Sequence, residues 1–372
     1  MHILYYYITA TAFTASWPQY HYIDELRRHG HKITIINPLS FPSIDLANEE
    51  LLCRVKNNLA GYDLFINSYG EDLLYVDTIR QISRHCSIPT LLICFDNLQA
   101  PYIHRKVAPY FDLIWLTSYE TEPLFRRWGC RCIFLPYAAN PYVFQPCFSN
   151  EINTVGFIGT PYGTRILKIN DLLAQNIPCS VFSSELNFQF NISRKWDREE
   201  RGEKKTKIST EDWSLMKFSI GRRILWSKWK KKRMGCLQLL RSQALRIYPS
   251  VSFHEMNRLY SNFSLSLSIT EVWDTYLLHR PVHKIHLRTF EIPMCGGLQF
   301  APYIEELSNY FEDGKEIVLY RTKEEYNDKA RFYLRADKSS LRMQMKYAAR
   351  KRAENDHTWI NRFDKAFLKL NS

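Results

Sequence analysis

An alternation of short apolar runs with stretches of helical spacing is the feature that most constrains the fold of this chain. In its first part the apolar runs are Ile3–Ile8, Lys32–Ile36, Asp63–Asn67, Pro89–Phe95, Leu113–Thr117 and Cys132–Pro136. Continuous apolar strands are typical of a sheet that is buried on both faces, and helical connections between them make the strands parallel. The first part of the chain therefore predicts an α/β domain with a parallel sheet.

A second series of the same kind begins after a proline-containing linker at residues 136–148. Its predicted strands are Thr154–Gly159, Cys179–Phe182, Leu265–Ile269, Leu298–Phe300 and Glu316–Tyr320. The chain of 372 residues has room for two such domains, and we place them at residues 1–148 and 149–372. Two α/β domains that face one another across a cleft would present ligand groups from the carboxyl ends of strands in both.

Three helical stretches of the second domain bear on its function. A helix is predicted over Arg165–Gln175, and Glu291–Met294 is predicted to open a helix or turn. A long helical stretch runs over 323–370 with a break near Ala336. Its last helix is free to pack back on the first domain.

The positive charge of the chain is concentrated in one segment. The formal net charge is +12, yet residues 194–246 hold 17 Lys and Arg against 6 Asp and Glu, while the rest holds 33 against 32. The protein is therefore close to neutral apart from this segment, which we treat as a basic insertion at about residues 190–247. Its first half, residues 194–210, predicts an exposed or mobile loop.

In the second half of the insertion, basic residues alternate with large apolar ones. Helical spacing would place Leu225, Trp226 and Trp229 on one side of a helix, and Cys236 with Leu240 likewise. Tryptophans beside lysines are typical of a helix that lies on an anionic membrane surface. The candidate membrane contacts are Arg222, Arg223, Trp226, Trp229, Lys230, Lys231, Lys232 and Arg233. Two alternatives stay open: a solvated helix whose apolar side packs on its own domain and, least favoured, a nucleic-acid-binding segment.

Several other classes of protein are disfavoured. No run approaches the roughly 18 to 20 apolar residues that span a bilayer, and the segment His2–Ile8 lacks the basic leader of a signal peptide. Nine scattered cysteines indicate reduced thiols in a cytosolic compartment. Cys130 and Cys132 do not have the spacing of a zinc knuckle, and we expect no metal site. These observations predict a cytoplasmic protein, peripheral on a membrane if the basic helix binds there.

The densest motif of the chain lies at residues 287–297, which read Leu-Arg-Thr-Phe-Glu-Ile-Pro-Met-Cys-Gly-Gly. An acidic side chain such as Glu291 at the start of a helix can hydrogen-bond a ribose, while backbone amides near small residues approach phosphates. The pair Gly296-Gly297 also fits a simple helix cap.

The motif and the segments around it resemble the C-terminal domain of group 1 glycosyltransferases, in the CgeB-like branch with its R-x-F-E-x-x-x-C-G-G signature. The segments that share the resemblance are Leu135–Pro141, Val155–Thr160, Phe300–Tyr303, Phe311–Ile317 and His357-Thr358. The resemblance is thin over the first hundred residues and absent in the basic insertion.

This resemblance implies a GT-B fold, with two Rossmann-like domains facing across a cleft and the nucleotide sugar held mainly by the second. It implies that Glu291 binds the nucleotide ribose and that Arg288 lies near the diphosphate as a catalytic group. The other implied donor contacts are Gly159, Thr160, Arg165, Cys295, Gly296 and Gly297. No metal and no cofactor other than the nucleotide sugar are implied, since positive side chains and a helix N-terminus do the metal's work.

One departure from the family concerns catalysis. Many group 1 enzymes carry two glutamates eight positions apart; Glu291 matches the second, but His283 occupies the first position. Whether the reaction retains or inverts the anomeric configuration therefore stays open.

The acceptor side is expected in the first domain. Asp96 follows a predicted strand and is a candidate base or acceptor contact, although a cap on the next helix is favoured slightly. Plain packing is favoured for Tyr20 and His21, and the choice is even for Glu120.

The sequence thus predicts a glycosyltransferase that moves a sugar from a nucleotide-activated donor to a carbohydrate or lipid-linked acceptor. An acceptor that is a protein or a small molecule is the alternative within the enzymes. A non-catalytic GT-B protein that binds a nucleotide or a partner, and a nucleic-acid-binding protein that uses the basic insertion, are the alternatives outside them.

Overall fold

The computed structural model describes residues 1–9, 17–183, 213, 215–234 and 237–372, which form two compact units. The first unit comprises Met1–Val143 together with Thr358–Ser372, and the second comprises Phe144–His357. The polar half of the predicted insertion, residues 194–210, and Cys236 lie outside the described residues.

The secondary structure alternates between strands and helices. The strands are β1 (His2–Tyr6), β2 (Lys32–Ile36), β3 (Leu64–Asn67), β4 (Thr90–Cys94), β5 (Leu113–Leu116), β6 (Cys132–Phe134), β7 (Ile152–Ile158), β8 (Cys179–Ser183), β9 (Leu245–Pro249), β10 (Phe263–Leu267), β11 (Gln299–Pro302) and β12 (Val318–Tyr320). The α-helices are α1 (Asp24–Arg28), α2 (Ile44–Asn57), α3 (Val76–His85), α4 (Glu122–Arg127), α5 (Thr164–Leu173), α6 (Ser219–Arg233), α7 (Phe253–Asn262), α8 (Arg288–Met294), α9 (Glu305–Ser308), α10 (Lys323–Leu334), α11 (Ser339–Asp356) and α12 (Trp359–Leu370).

The first unit contains a six-stranded parallel sheet in the order β2-β1-β3-β4-β5-β6. Every residue of β3, β4 and β5 is buried, which is the pattern that the continuous apolar runs predicted. Leu4, Phe65, Leu92 and Ile114 are members of one hydrophobic core. The order of the strands reverses at β1 and β3, and such a switch point opens a crevice at the carboxyl edge of a parallel sheet.

The last helix, α12, belongs to the first unit. Its first turn is held by Glu25 of α1, whose two carboxylate oxygens accept hydrogen bonds from the backbone N–H groups of Trp359 (3.2 Å) and Ile360 (3.1 Å). The indole of Trp359 donates to Nδ1 of His21 over 3.0 Å. His21 is fully buried, as packing predicts, whereas Tyr20 is 43% exposed and contributes little to the core.

The second unit contains a six-stranded parallel sheet in the order β12-β11-β10-β7-β8-β9. The first strand of the series, β7, is central, and the order reverses between β7 and β10, as in a doubly wound dinucleotide-binding sheet. Helices α5 and α10 contact this sheet over a core that includes Phe157, Leu265, Phe300 and Tyr326.

Two details of the basic insertion differ from the sequence-based expectation. Residues Leu245–Pro249, for which the sequence predicts no strand, form the edge strand β9, which is hydrogen-bonded to β8 from Cys179 to Ser183. The helix α6 ends at Arg233, so Leu240 does not share its face. The end of the insertion is therefore an integral part of the sheet.

The long C-terminal helical stretch is broken at two places. A 3-10 turn at Ala336–Lys338 separates α10 from α11, as predicted. A second break, which the sequence did not suggest, separates α11 from α12 at His357-Thr358, where the Thr358 hydroxyl accepts from the backbone N–H of Asn361 and begins the new helix.

Candidate functional site

The predicted donor contacts of the second unit gather at the carboxyl edge of its sheet. Gly159 and Thr160 follow β7 directly, and Arg165 lies in the first turn of α5. Arg288 and Glu291 lie on α8, after the loop that leaves β10. Since β7 and β10 are neighbours at the switch point of the sheet, chain segments that are far apart in sequence meet where such sheets bind ligands.

Two arginines flank one aromatic ring at this edge. The guanidinium carbons of Arg165 and Arg288 lie 5.8 Å and 5.6 Å from the ring centroid of Phe157. Burial lowers the pKa of Arg165 to about 10, and the positive charge of Arg288 adds to the shift. The two positive charges lie close enough for that of Arg288 to lower the pKa of Arg165, so the site is suited to an anion.

The two arginines are fixed by neighbouring polar groups. Arg165 donates from Nη1 to the carbonyl of Thr160 over 2.8 Å and lies over the Tyr162 ring. Arg288 hydrogen-bonds the buried hydroxyl of Tyr260 on α7. Burial raises the pKa of Tyr260, and the charge of Arg288 opposes that rise.

Gly159 permits the approach of Arg288 to the end of β7. Its φ of +136° is rarely adopted by other residues, and a Cβ atom there would lie 2.3 Å from the Nη2 atom of Arg288. The glycine is thus required both by the backbone turn and by the position of the guanidinium.

Glu291 lies three residues after Arg288 on α8, on the same side of the helix, and only 6% of it is exposed. Its charge, like that of Arg288, acts on the Tyr260 hydroxyl, which places the carboxylate, the guanidinium and the phenol in one cluster. Tyr260 carried no sequence signal, because it lies in the middle of an ordinary amphipathic helix.

The small residues after α8, which the resemblance implies as donor contacts, form the cap of this helix. The amides of Gly296 and Gly297 donate to Pro293 and Ile292 within the helix cap. A Cβ atom at either glycine would meet the Phe148 ring or Ile292 within 3 Å. Cys295 is fully buried, and its thiol donates to Asn257 over 2.8 Å. Cys295, Gly296 and Gly297 therefore all take part in the close packing of the helix cap.

A second polar group follows β10. Glu271 pairs with His283 in an isolated antiparallel bridge, and the Nδ1 atom of His283 lies 2.8 Å from the hydroxyl of Thr270. Burial lowers the pKa of His283, while the charge of Glu271 opposes this. Among the described residues, the buried Oε2 atom of Glu271 and the hydroxyl of Tyr320 have no hydrogen-bond partner.

Glu271 was missed by sequence reasoning. The family pattern directs attention to the position eight residues before Glu291, which is His283. An antiparallel bridge pairs this histidine with Glu271, which lies twelve residues earlier in the chain. Only the antiparallel bridge, which no spacing rule predicts, reveals the pair.

In the first unit, Asp96 follows β4 and is exposed. Its backbone has a positive φ of 53°, and its Oδ1 atom accepts a hydrogen bond of 2.8 Å from the hydroxyl of Tyr137. The next helical turn, Pro101–His104, begins after Ala100, so the predicted capping role of Asp96 is wrong. The buried neighbour Asn97 instead supports the loop, since its Oδ1 atom accepts from the backbone N–H of Thr117 over 3.0 Å.

The remaining candidates lie elsewhere in the two units. Glu120 lies in a 3-10 turn after β5, and burial raises its pKa. All eight candidate membrane contacts lie on α6 in the second unit. No group of His, Cys, Asp and Glu within the described ranges could hold a metal ion, and no described helix is both long and apolar enough to cross a bilayer.

Comparisons with known proteins agree with this architecture. A family model described as glycosyl transferase-like matches residues 209–367, and no curated protein matches the sequence. An α-glucosyltransferase in complex with UDP and a 13-mer DNA is similar over 100% of both chains, at a TM-score of 0.61 and 11% identity. Sucrose-phosphate synthase from Thermosynechococcus elongatus is similar over 99% of this chain and 98% of its own, at a TM-score of 0.55 and 12% identity.

The fold is GT-B.

A third GT-B structure, HepE from Anabaena in complex with UDP-glucose, covers 99% of both chains at a TM-score of 0.52 and 11% identity. The family match contains α6, α7 and α8, and thus both Arg288 and Glu291. The match begins at residue 209 and therefore also includes the second half of the basic insertion.

Proposed function

We propose that the protein is a glycosyltransferase that moves a sugar from a nucleotide-activated donor to a carbohydrate or lipid-linked acceptor. The observation that carries the proposal is the Arg165–Arg288 pair beside Glu291, at the switch point of the second sheet of a GT-B chain. The complete R-x-F-E-x-x-x-C-G-G motif favours the CgeB-like branch.

The two guanidinium groups suit the leaving group of this reaction. In the transfer, the bond between the anomeric carbon and the phosphate oxygen breaks, and its electron pair leaves with the nucleoside diphosphate. Arg165 and Arg288 would bind this diphosphate, and their mutual repulsion would be relieved as negative charge develops on it. With two cations in place, we propose that no metal ion takes part; EDTA should leave the rate unchanged.

Glu291 would bind the ribose of the donor. A carboxylate that accepts hydrogen bonds from two adjacent hydroxyls binds a ribose without contacting the phosphates. Two of the similar GT-B structures hold UDP or UDP-glucose, so uridine nucleotides are the first donors to test.

We assign the carboxylate that the family has eight residues before Glu291 to Glu271. Its Oε2 atom is buried without a hydrogen-bond partner among the described residues, and such an atom is costly unless a ligand hydroxyl completes it. Its bridge partner His283 occupies the position of the family's first glutamate, but it cannot supply a negative charge there. Burial lowers the pKa of this histidine and so favours its neutral form. Glu271 would therefore contact the sugar of the donor.

The acceptor oxygen must lose a proton as it bonds to the anomeric carbon. Asp96 in the first unit is the proposed base or acceptor contact, since it is exposed at the carboxyl edge of β4 and is oriented by the Tyr137 hydroxyl. A lipid-linked acceptor would require the enzyme to act in the cytoplasm at the membrane surface.

Binding of nucleoside diphosphates, measured by calorimetry, tests the donor site. Replacing Arg288 or Glu291 by alanine should weaken binding by roughly ten- to a hundredfold, the equivalent of about 1.5–3 kcal/mol for a charged hydrogen bond. Arg258→Ala is the matched control, because this arginine forms an exposed pair with Glu255 on α7. Unchanged binding in both site variants would show that the donor site lies elsewhere.

A second candidate, a non-catalytic GT-B protein, is favoured by the histidine at position 283. Such a protein would bind the nucleotide as a glycosyltransferase does, but it would not transfer a sugar. A protein that binds the nucleoside diphosphate through Arg288, yet releases none from any nucleotide sugar in the presence of glycan and lipid-linked acceptors, would be of this second kind.

A further inference from the structure

The helix α6 has one face that is fully engaged with its own unit. Gly221, Ile224 and Ser227 are buried along one side, and the helix packs against the 3-10 turn Thr275–Leu277. Lys230 donates from Nζ to the carbonyl of Leu277 over 3.2 Å. Arg223 donates to the carbonyl of Arg280. The contact of α6 with its own domain therefore uses small and medium residues and not the tryptophans.

The opposite side of α6 presents a ridge that the described residues of the protein leave about half exposed. Its members are spaced by four, three and four positions along the helix and are Arg222, Trp226, Trp229 and Arg233. Trp226 is 50% exposed and Trp229 is 41% exposed. Two half-exposed indoles side by side are unusual on a soluble surface and indicate an interaction site. We call these four residues the tryptophan ridge.

The helix that carries the tryptophan ridge has charged residues of one sign only. The helix carries seven Lys and Arg and no Asp or Glu over Ser219–Arg233. Arg233 lies 3.6 Å from the centroid of the Trp229 ring, and Lys230 lies 6.0 Å from that of Trp226. A surface that complements the ridge must therefore be anionic and able to accept apolar rings.

The arrangement of the rings discriminates between anionic partners. The indoles of Trp226 and Trp229 are stacked on each other, with centroids 4.5 Å apart and planes 18° apart. The Trp229 ring is thus contacted both by the stacked ring of Trp226 and by the guanidinium of Arg233. Nucleic-acid bases stack on free aromatic faces, whereas the headgroup layer of a bilayer accepts indoles by their edges with cations around them.

We propose that the tryptophan ridge and the lysines beside it form a docking surface for an anionic phospholipid leaflet. The helix would lie in the plane of the membrane, with the indoles among the headgroups and the basic side chains against phosphate. This inference extends the proposed function to a lipid partner and does not depend on it, because lipid binding is measured without any sugar transfer.

Flotation with vesicles tests the docking surface on the full-length chain. The native protein should bind vesicles of phosphatidylcholine with phosphatidylglycerol, and should not bind vesicles of phosphatidylcholine alone. Replacing Lys230, Lys231, Lys232 and Arg233 by alanine should lower the partition coefficient roughly a hundredfold or more, and high salt should do the same to the native protein. The double variant Trp226→Ala, Trp229→Ala should lower it roughly tenfold or more with the salt dependence retained.

Matched controls separate docking from net charge. Arg27, Arg84, Arg105 and Lys365 are exposed residues of the first unit, and replacing all four by alanine removes the same charge. Leu39 and Leu368 are 61% and 72% exposed, and their alanine variants remove apolar surface elsewhere. The circular dichroism spectrum and the midpoint of thermal unfolding, measured in parallel, show that each variant is folded.

Three results would overturn the proposal. The first is a native protein that ignores anionic vesicles. The second is a first-unit charge control that loses as much binding as the variant of α6, because attraction would then follow net charge alone. The third is tight binding of a short DNA through Trp226 and Trp229 in a protein that does not bind vesicles, which would make the ridge a nucleic-acid surface.

Discussion

At the residue scale, the donor site depends on two like charges that the fold holds beside one ring. Arg165 and Arg288 share Phe157, and the pKa of Arg165 falls to about 10, so Arg165 remains protonated at neutral pH. Their repulsion disfavours the ligand-free site and is relieved when a dianion binds. The same electrostatics makes Gly159 important, because it fixes how near Arg288 comes to the end of β7.

Replacing Gly159 by alanine should weaken nucleoside diphosphate binding and lower stability. The φ of +136° strains any other residue by about 1–3 kcal/mol. The new Cβ atom would lie 2.3 Å from the present position of the Nη2 atom of Arg288 and would therefore displace the guanidinium. Calorimetry and thermal unfolding measure the two effects. Gly314→Ala is the matched control, with a φ of +78° and nothing within 4 Å, and should lower stability alone. Equal nucleotide affinity in both variants would contradict the role given to Gly159.

Replacing Glu271 by glutamine should separate sugar binding from nucleotide binding. If its unpartnered oxygen contacts the donor sugar, the variant should lose roughly ten- to a hundredfold in kcat/KM. Its affinity for the nucleoside diphosphate, which lacks the sugar, should stay the same. A variant that loses nucleoside diphosphate binding to the same degree, or that keeps full turnover, would remove Glu271 from the sugar site.

At the element scale, the sequence predicted those strands whose residues are all buried. Thr90–Cys94 and Leu113–Leu116 are continuous apolar runs because helices cover both faces of the first sheet. β9 was missed because it is an edge strand without a buried residue, and because Arg246 interrupts its apolar run. The Glu271–His283 bridge and the Arg165–Arg288 pair were not predictable from spacing, since they depend on strand pairing and on the neighbouring positions of β7 and β10.

The attachment of α12 to α1 should depend on pH through Glu25. Burial raises the pKa of this carboxyl from 4.5 to about 7, and the charge of Asp24 acts in the same direction. Hydrogen bonds from the backbone of Ile360 and Trp359 and from the hydroxyl of Thr358 oppose the rise. The folded protein thus holds the proton more tightly than the unfolded chain. The resulting stability, about 3 kcal/mol, is fully present below pH 4.5 and is lost as the pH rises through 7.

The variant Glu25→Gln tests this dependence. Between pH 4.5 and 7 the free energy of unfolding of the first unit should fall more steeply with pH in the native protein than in the variant, which has no proton to lose at this position. Glu49→Gln, at an exposed position of α2, is the control and should leave the slope unchanged. Identical slopes in the native protein and in Glu25→Gln, measured by urea unfolding, would show that the buried carboxyl does not titrate in this range.

At the scale of the whole molecule, the chain leaves the first unit at Val143 and returns to it at Thr358. The two sheets could be predicted from the sequence as two series of apolar runs. The sequence left the return of α12 to the first unit as one option, because the amphipathic pattern of this helix does not say which core it covers. The first unit is therefore discontinuous in sequence, and its last element is made only when the second unit has been synthesised.

Deleting Thr358–Ser372 should unfold the first unit and spare the second. The helix α12 places Trp359 and Phe363 at 0% exposure in the first unit, with Phe367 nearly as buried. Burial of three aromatic side chains contributes roughly 5–9 kcal/mol, which is comparable to the stability of a whole domain.

Hydrogen exchange should show loss of protection in β1 to β6, with protection retained in β7 to β12. Nucleoside diphosphate binding should persist, because Arg165, Arg288 and Glu291 all belong to the second unit. Deletion of only Asn371 and Ser372, which are exposed, is the control and should change neither. Retained protection in the first sheet after the longer deletion would mean that α12 covers the core without stabilising it.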